Sequence, residues 1–109
     1  MKEERLKKLY EFLENDPHDP FTIYAIASEL VFEKPKEALK YFTRLLNEHP
    51  DYVATYYHAA HLFVELGNRE KAEEVYKKGI AICQEKQELH ALAELQSAYN
   101  NFLYDDEDE

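Results

Sequence analysis

The chain has 109 residues, with two Gly, four Pro, a single Cys and a formal net charge of −10. That length supports one domain with a real core, since folding removes roughly two-thirds of the unfolded surface from water at this size, and the scarcity of Gly and Pro beside abundant Ala, Leu, Glu and Lys favours helices over sheets. The negative charge argues against a nucleic-acid surface, which needs clustered Lys and Arg, and no apolar run approaches membrane-spanning length or forms a signal-like stretch after Met1 to Arg5; a cytoplasmic protein is expected.

In chain order, Lys2 to Asn15 carries Leu6, Leu9, Tyr10 and Leu13 at helical spacing, with Phe12 beside them, and stops at Asp16-Pro17. His18-Asp19-Pro20 opens the next helix, with Asp19 as N-cap and Pro20 in the first turn, and Ile23, Ile26, Ala27 and Leu30 form its apolar face. Pro35 starts a third helix, in which Ala38 and Phe42 continue the pattern as far as His49-Pro50. From Val53 onward Tyr56, Ala59, Ala60, Phe63 and Val64 recur at spacings of three and four. Gly67 supplies a left-handed end to that helix, Asn68 caps the next, and Ala72, Val75, Tyr76, Gly79 and Ile80 resume the stripe. Small Ala60 and Ala72 allow two antiparallel helices to approach closely, with Tyr56, Phe63 and Tyr76 filling the space around them. A last helix over residues 87–103 places Leu89, Leu92, Ala93, Gln96 and Tyr99 on one face, with Leu95 and Phe102 alongside. Asp105 to Glu109 supplies half of the net charge and is expected to be a disordered, solvating tail.

Two stretches repeat. Ile23, Ile26, Ala27 and Leu30 align with Tyr56, Ala59, Ala60 and Phe63 at an offset of 33, and Ala38 and Phe42 align with Ala72 and Tyr76 at 34; the discrepancy falls in the turn, where Lys34-Pro35 replaces Leu66-Gly67-Asn68-Arg69. The order of large and small residues, Tyr56, Ala59-Ala60, Phe63, Ala72 and Tyr76, resembles the tetratricopeptide repeat, with Gln84 where that pattern has Pro. The whole chain resembles the short bacterial members of that family, built from a leading helix, two repeats and a closing helix.

The resemblance implies an all-α fold of antiparallel helical hairpins stacked as a short right-handed superhelix of about six helices. Residues 1–104 form a single domain, with a capping helix at 2–15, repeats at 20–52 and 53–86, and a second capping helix at 87–103. It also implies a non-catalytic scaffold that binds a peptide or helix of a partner protein in a concave groove. Family geometry lines that groove with Phe21, Tyr24, Ser28, Val31 and Phe32 from the first repeat and with Ala54, Tyr57, His61, Val64 and Glu65 from the second. The alternative is self-association into a homodimer through the groove or through Tyr99, Phe102 and Tyr104, so a monomer or weak homodimer is expected. Some family members clamp an acidic C-terminal carboxylate; the matching positions here, Tyr24, Ser28, His58, Gln87 or Glu88, and Ala91, hold no permanent cation, and that ligand is not supported.

Chemistry finds little footing. His58, His61 and Glu65 have the spacing to approach one metal ion from a helix, yet no further ligand is placed to close the coordination sphere, so neither metal nor cofactor is assigned. They read instead as polar groove residues that hydrogen-bond each other or a ligand, with the two histidines able to make binding pH-sensitive. Cys83 reads as a small, semi-buried residue, unable to form an intramolecular disulfide. No Gly-rich phosphate loop, nucleophile-base pair or HExxH motif occurs, and no enzyme is expected.

Overall fold

The computed structural model of the chain describes residues 2–107. Among them run six α-helices and no strand: α1 (Lys2–Asn15), α2 (Pro20–Leu30), α3 (Pro35–Glu48), α4 (Ala54–Glu65), α5 (Arg69–Lys86) and α6 (Leu89–Glu107). No helix among the described residues is long and apolar enough to cross a membrane. The chain divides into two compact units, Met1–Tyr52 and Val53–Glu109.

In the first unit α2 is the central element, packed on one side by α1 and on the other by α3. Its start is set locally: the Asp19 carboxylate accepts hydrogen bonds from the Thr22 amide at 3.3 Å and the Thr22 hydroxyl at 2.6 Å, and Pro20 occupies the first turn. Ile23, Ile26, Ala27 and Leu30 are buried against Ala38, Phe42 and Leu45 of α3 and Leu9 of α1. The rest of the α1 stripe is less covered, with Tyr10 and Phe12 exposed. Ion pairs also run from α1 to α2, Arg5 to Glu29 at 2.6 Å, and to the turn after it, Lys2 to Glu33 at 3.4 Å, each a small addition to the apolar packing.

The second unit is built on α5, which packs against both α4 and α6, and these two also touch each other. The turn between α4 and α5 follows its residues: Gly67 adopts a φ of +84°, the Asn68 amide donates to the Phe63 carbonyl at 2.8 Å, and the Asn68 side chain accepts from the Lys71 amide at 3.1 Å. Tyr56, Ala59, Ala60, Leu62 and Phe63 of α4 and Ala72, Val75, Tyr76 and Cys83 of α5 form the core. Burial pushes the Cys83 thiol pKa upward, so it sits there as a small apolar group.

Two expectations for the last helix need correction. Its buried residues are Leu95 and Phe102, with Leu92 and Tyr99 half-buried beside them, whereas Leu89 is 72% exposed and Ala93 and Gln96 face solvent. The helix is rotated relative to the face read from the sequence, because turning the bulky 92, 95, 99 and 102 positions inward removes more apolar surface from water than burying Ala93 and Gln96 would. The helix also runs on through residues 105–107, where a disordered tail was expected. No Gly or Pro follows Leu103 to stop it, and the Arg69 guanidinium holds its end to α5 by donating to the Phe102 carbonyl at 2.9 Å. The remainder of the expected tail, residues 108–109, lies outside the described residues.

Candidate functional site

The burial of one face of α4 leaves another to be accounted for. Tyr57, His61 and Val64 recur every three or four residues and so share a face away from the Tyr56–Ala60–Phe63 seam. On α6, turning Leu95, Tyr99 and Phe102 inward sends Ala93, Glu94, Ser97, Ala98 and Asn101 around to meet that face. Between them the second unit holds a cleft of about 610 Å³, with Tyr76 and Phe102 at its base and Asp105 at its far end.

The base is rigid for identifiable reasons. Tyr76 packs on Tyr99 and Phe102 with ring centroids 5.7 and 5.5 Å apart, and the Arg69 guanidinium lies 4.2 Å from the Phe102 ring centre. The Tyr99 hydroxyl donates to the Glu73 carboxylate at 2.9 Å. Burial, together with that hydrogen bond, raises the Tyr99 pKa, and burial raises that of Tyr76. Tyr99 and Phe102 are therefore used inside the unit. Of the three rings considered for a self-association flank, only Tyr104 is open to solvent, at 68%.

The rim is polar. The Nε2 of His61 lies 3.0 Å from the Glu65 carboxylate one turn on. His58, with its ring edge-on to Tyr57, has its pKa lowered, first by burial and then by the neighbouring His61, with Glu94 acting in the opposite direction. Among the described residues no three His, Cys, Asp or Glu side chains gather to hold a metal ion.

Of the residues read as groove-lining, Tyr57, His61 and Val64 come together in this cleft. Ala54 and Glu65 stand at the two ends of α4, outside its lining. The others belong to the first unit. There Phe21 is 66% and Phe32 88% exposed, Ser28 is open, and Val31 is half-buried just past the end of α2. The Tyr24 ring is engaged by Phe42 and Tyr52, at centroid distances of 6.3 and 5.6 Å. The α6 wall, Ala93, Glu94, Ser97, Ala98 and Asn101, was missed at the level of sequence. The signal that could have found it is the spacing of Leu92, Leu95, Tyr99 and Phe102, a packing seam that leaves the small residues on another face.

Comparison with known proteins agrees with this architecture. A tetratricopeptide repeat family model matches residues 32–101. The chain is similar to the tetratricopeptide repeat domain protein of Salinibacter ruber in a crystal structure, at 38% identity over 77% of this chain and 94% of that one, with a TM-score of 0.74. A solution NMR structure of a tetratricopeptide repeat domain protein from the same bacterium gives 39% identity over 80% and 89% of the two chains, with a TM-score of 0.75. The comparison with curated proteins gives no match. A family model spanning more than half of the chain, and solved relatives this similar over most of its length, place it: the chain belongs to the tetratricopeptide repeat family.

Proposed function

We propose that the protein is a non-catalytic adaptor, and that the cleft between α4 and α6 of its second unit receives a helix or extended segment of a partner protein. The observation that carries this reading is the cleft itself, open along two helices and edged by Tyr57, which is 42% exposed, beside small side chains at Ala93, Ser97 and Ala98. An aromatic ring next to a strip of small residues suits a docked segment: the strip lets a backbone or helix approach, and the ring covers it. Phe21 and Ser28, exposed on α2 of the first unit, are proposed as further contact residues for the same class of ligand.

The test has two parts. Light scattering on a size-exclusion column, over a concentration series, is expected to return a monomer throughout. Ala93→Trp, which fills the cleft from an exposed position, is expected to abolish binding of segments selected from a random peptide library while leaving the circular dichroism unchanged. A dimer that dissociates in Ala93→Trp would replace the adaptor by a self-association module.

A further inference from the structure

The occupant of the cleft has a charge sign, and the distribution of charge over the second unit decides it. Its permanent cations are Arg69, Lys71, Lys77, Lys78 and Lys86, all of which lie on α5. The two helices that wall the cleft, α4 and α6, carry no Lys or Arg at all. Glu94 and Asp105 of α6 line the opening, and Glu65 ends α4 outside the lining, 3.0 Å from His61, which lines it.

Several of these cations already have partners. Arg69 is held under the base of the cleft by the Phe102 carbonyl and ring, Lys71 lies 3.3 Å from Glu74, and Lys77 lies 4.0 Å from Glu73. Glu94 has His90 on its own helix at 3.8 Å, a neighbour that neutralises it only when protonated.

Helix polarity works in the same direction. Glu65 and Asp105 stand in the last turns of α4 and α6, where the backbone dipoles already concentrate negative potential and where a carboxylate is unfavourable for the helix by about 0.3–1 kcal/mol. Neither helix has a basic residue in its last turn to relieve this. In those last turns the Glu65 and Asp105 carboxylates add to the negative end of each helix. Their effect is a cleft whose walls are negative and whose floor is aromatic.

Resting on the adaptor reading, we propose that the segment docked between α4 and α6 is a basic amphipathic one, presenting Lys or Arg to Glu94 and Asp105 and apolar side chains to Tyr57, Val64 and Tyr76. Apolar contact supplies most of the affinity, and the carboxylates set the sign and orientation of the ligand.

Random-peptide display on the full chain, with counter-selection on Ala93→Trp, isolates cleft-dependent binders whatever the native partner is. Among them Lys and Arg are expected to outnumber Asp and Glu clearly, and binding of the enriched peptides is expected to weaken as salt rises. Glu94→Gln and Asp105→Asn, both surface changes, should each weaken those peptides about two- to fivefold, the effect of one partly exposed ion pair. Cleft-dependent binders that are neutral or acidic, or that are indifferent to both substitutions, would overturn the charge assignment and leave the adaptor reading standing. If no binder depends on the cleft, the adaptor reading fails and this proposal fails with it.

Discussion

Gly79 shows how little room α5 leaves for change. A Cβ built there would stand 2.6 Å from the Cβ of Tyr56 and 3.1 Å from a methyl of Leu95, and both of those residues are fully buried. Gly79→Ala gains about 0.8–1 kcal/mol of helix propensity but overpacks this contact at a cost of about 1–3 kcal/mol. The expected outcome in a urea titration is a net loss of stability, against the usual direction for Gly→Ala in a helix. Gln87 is the opposite case. It ends α5 in the left-handed region, at φ 58°, which costs a side-chain-bearing residue about 1–2 kcal/mol, so Gln87→Gly is expected to raise the midpoint. His58 supplies the pH dependence. Its pKa in the folded chain lies below the ordinary value, so the unfolded chain binds the proton more readily, and stability falls as pH drops from about 6.5 through the folded-state pKa. Melting the parent and His58→Gln side by side at about pH 7.5 and about pH 5.5 should show a smaller acid-side loss in the variant.

At the scale of the element, α6 separates what its residues reveal from what they hide. Leu95→Ala is expected to cost about 2–5 kcal/mol, because that side chain is fully buried, and Leu89→Ala about 0.5 kcal/mol or less, because Leu89 is largely exposed. Equal losses for the two would mean that the helix sits in the face first read from its sequence. α4 and α5 were legible because large and small residues alternate across their shared seam and Gly67-Asn68 punctuates it. In α6 apolar residues fall on nearly every side, so periodicity alone admits two rotations. What chooses between them is the aromatic base on Tyr76, a contact between elements, and the composition of α6 does not contain it. The α4 wall of the cleft, Tyr57, His61 and Val64, was read from the sequence, and the α6 wall was not: that reading puts Ala93 on the core face and gives Glu94, Ser97, Ala98 and Asn101 no role. The caps were the easiest feature to read, since Asp19, Pro20, Pro35 and Asn68 act on their own or adjacent turns.

At the scale of the whole chain, the two compact units part between Tyr52 and Val53. Family membership rests on the family model over residues 32–101 and on the solved relatives, and the pattern of residue sizes agrees with it. The proposed function rests on features outside that pattern: a polar opening on α4 and α6 lined by Glu94 and Asp105, and, within the second unit, Lys and Arg confined to α5. The central claim is that this opening docks a partner segment. The most direct measurement is a ¹H–¹⁵N NMR titration of the full chain with a display-selected peptide. Shifts are expected to concentrate at Tyr57, His61, Val64, Ala93, Ser97 and Asn101 and to disappear in Ala93→Trp. Shifts concentrated on α1 and α3, with the α4 and α6 positions unmoved by saturating peptide, would contradict that claim.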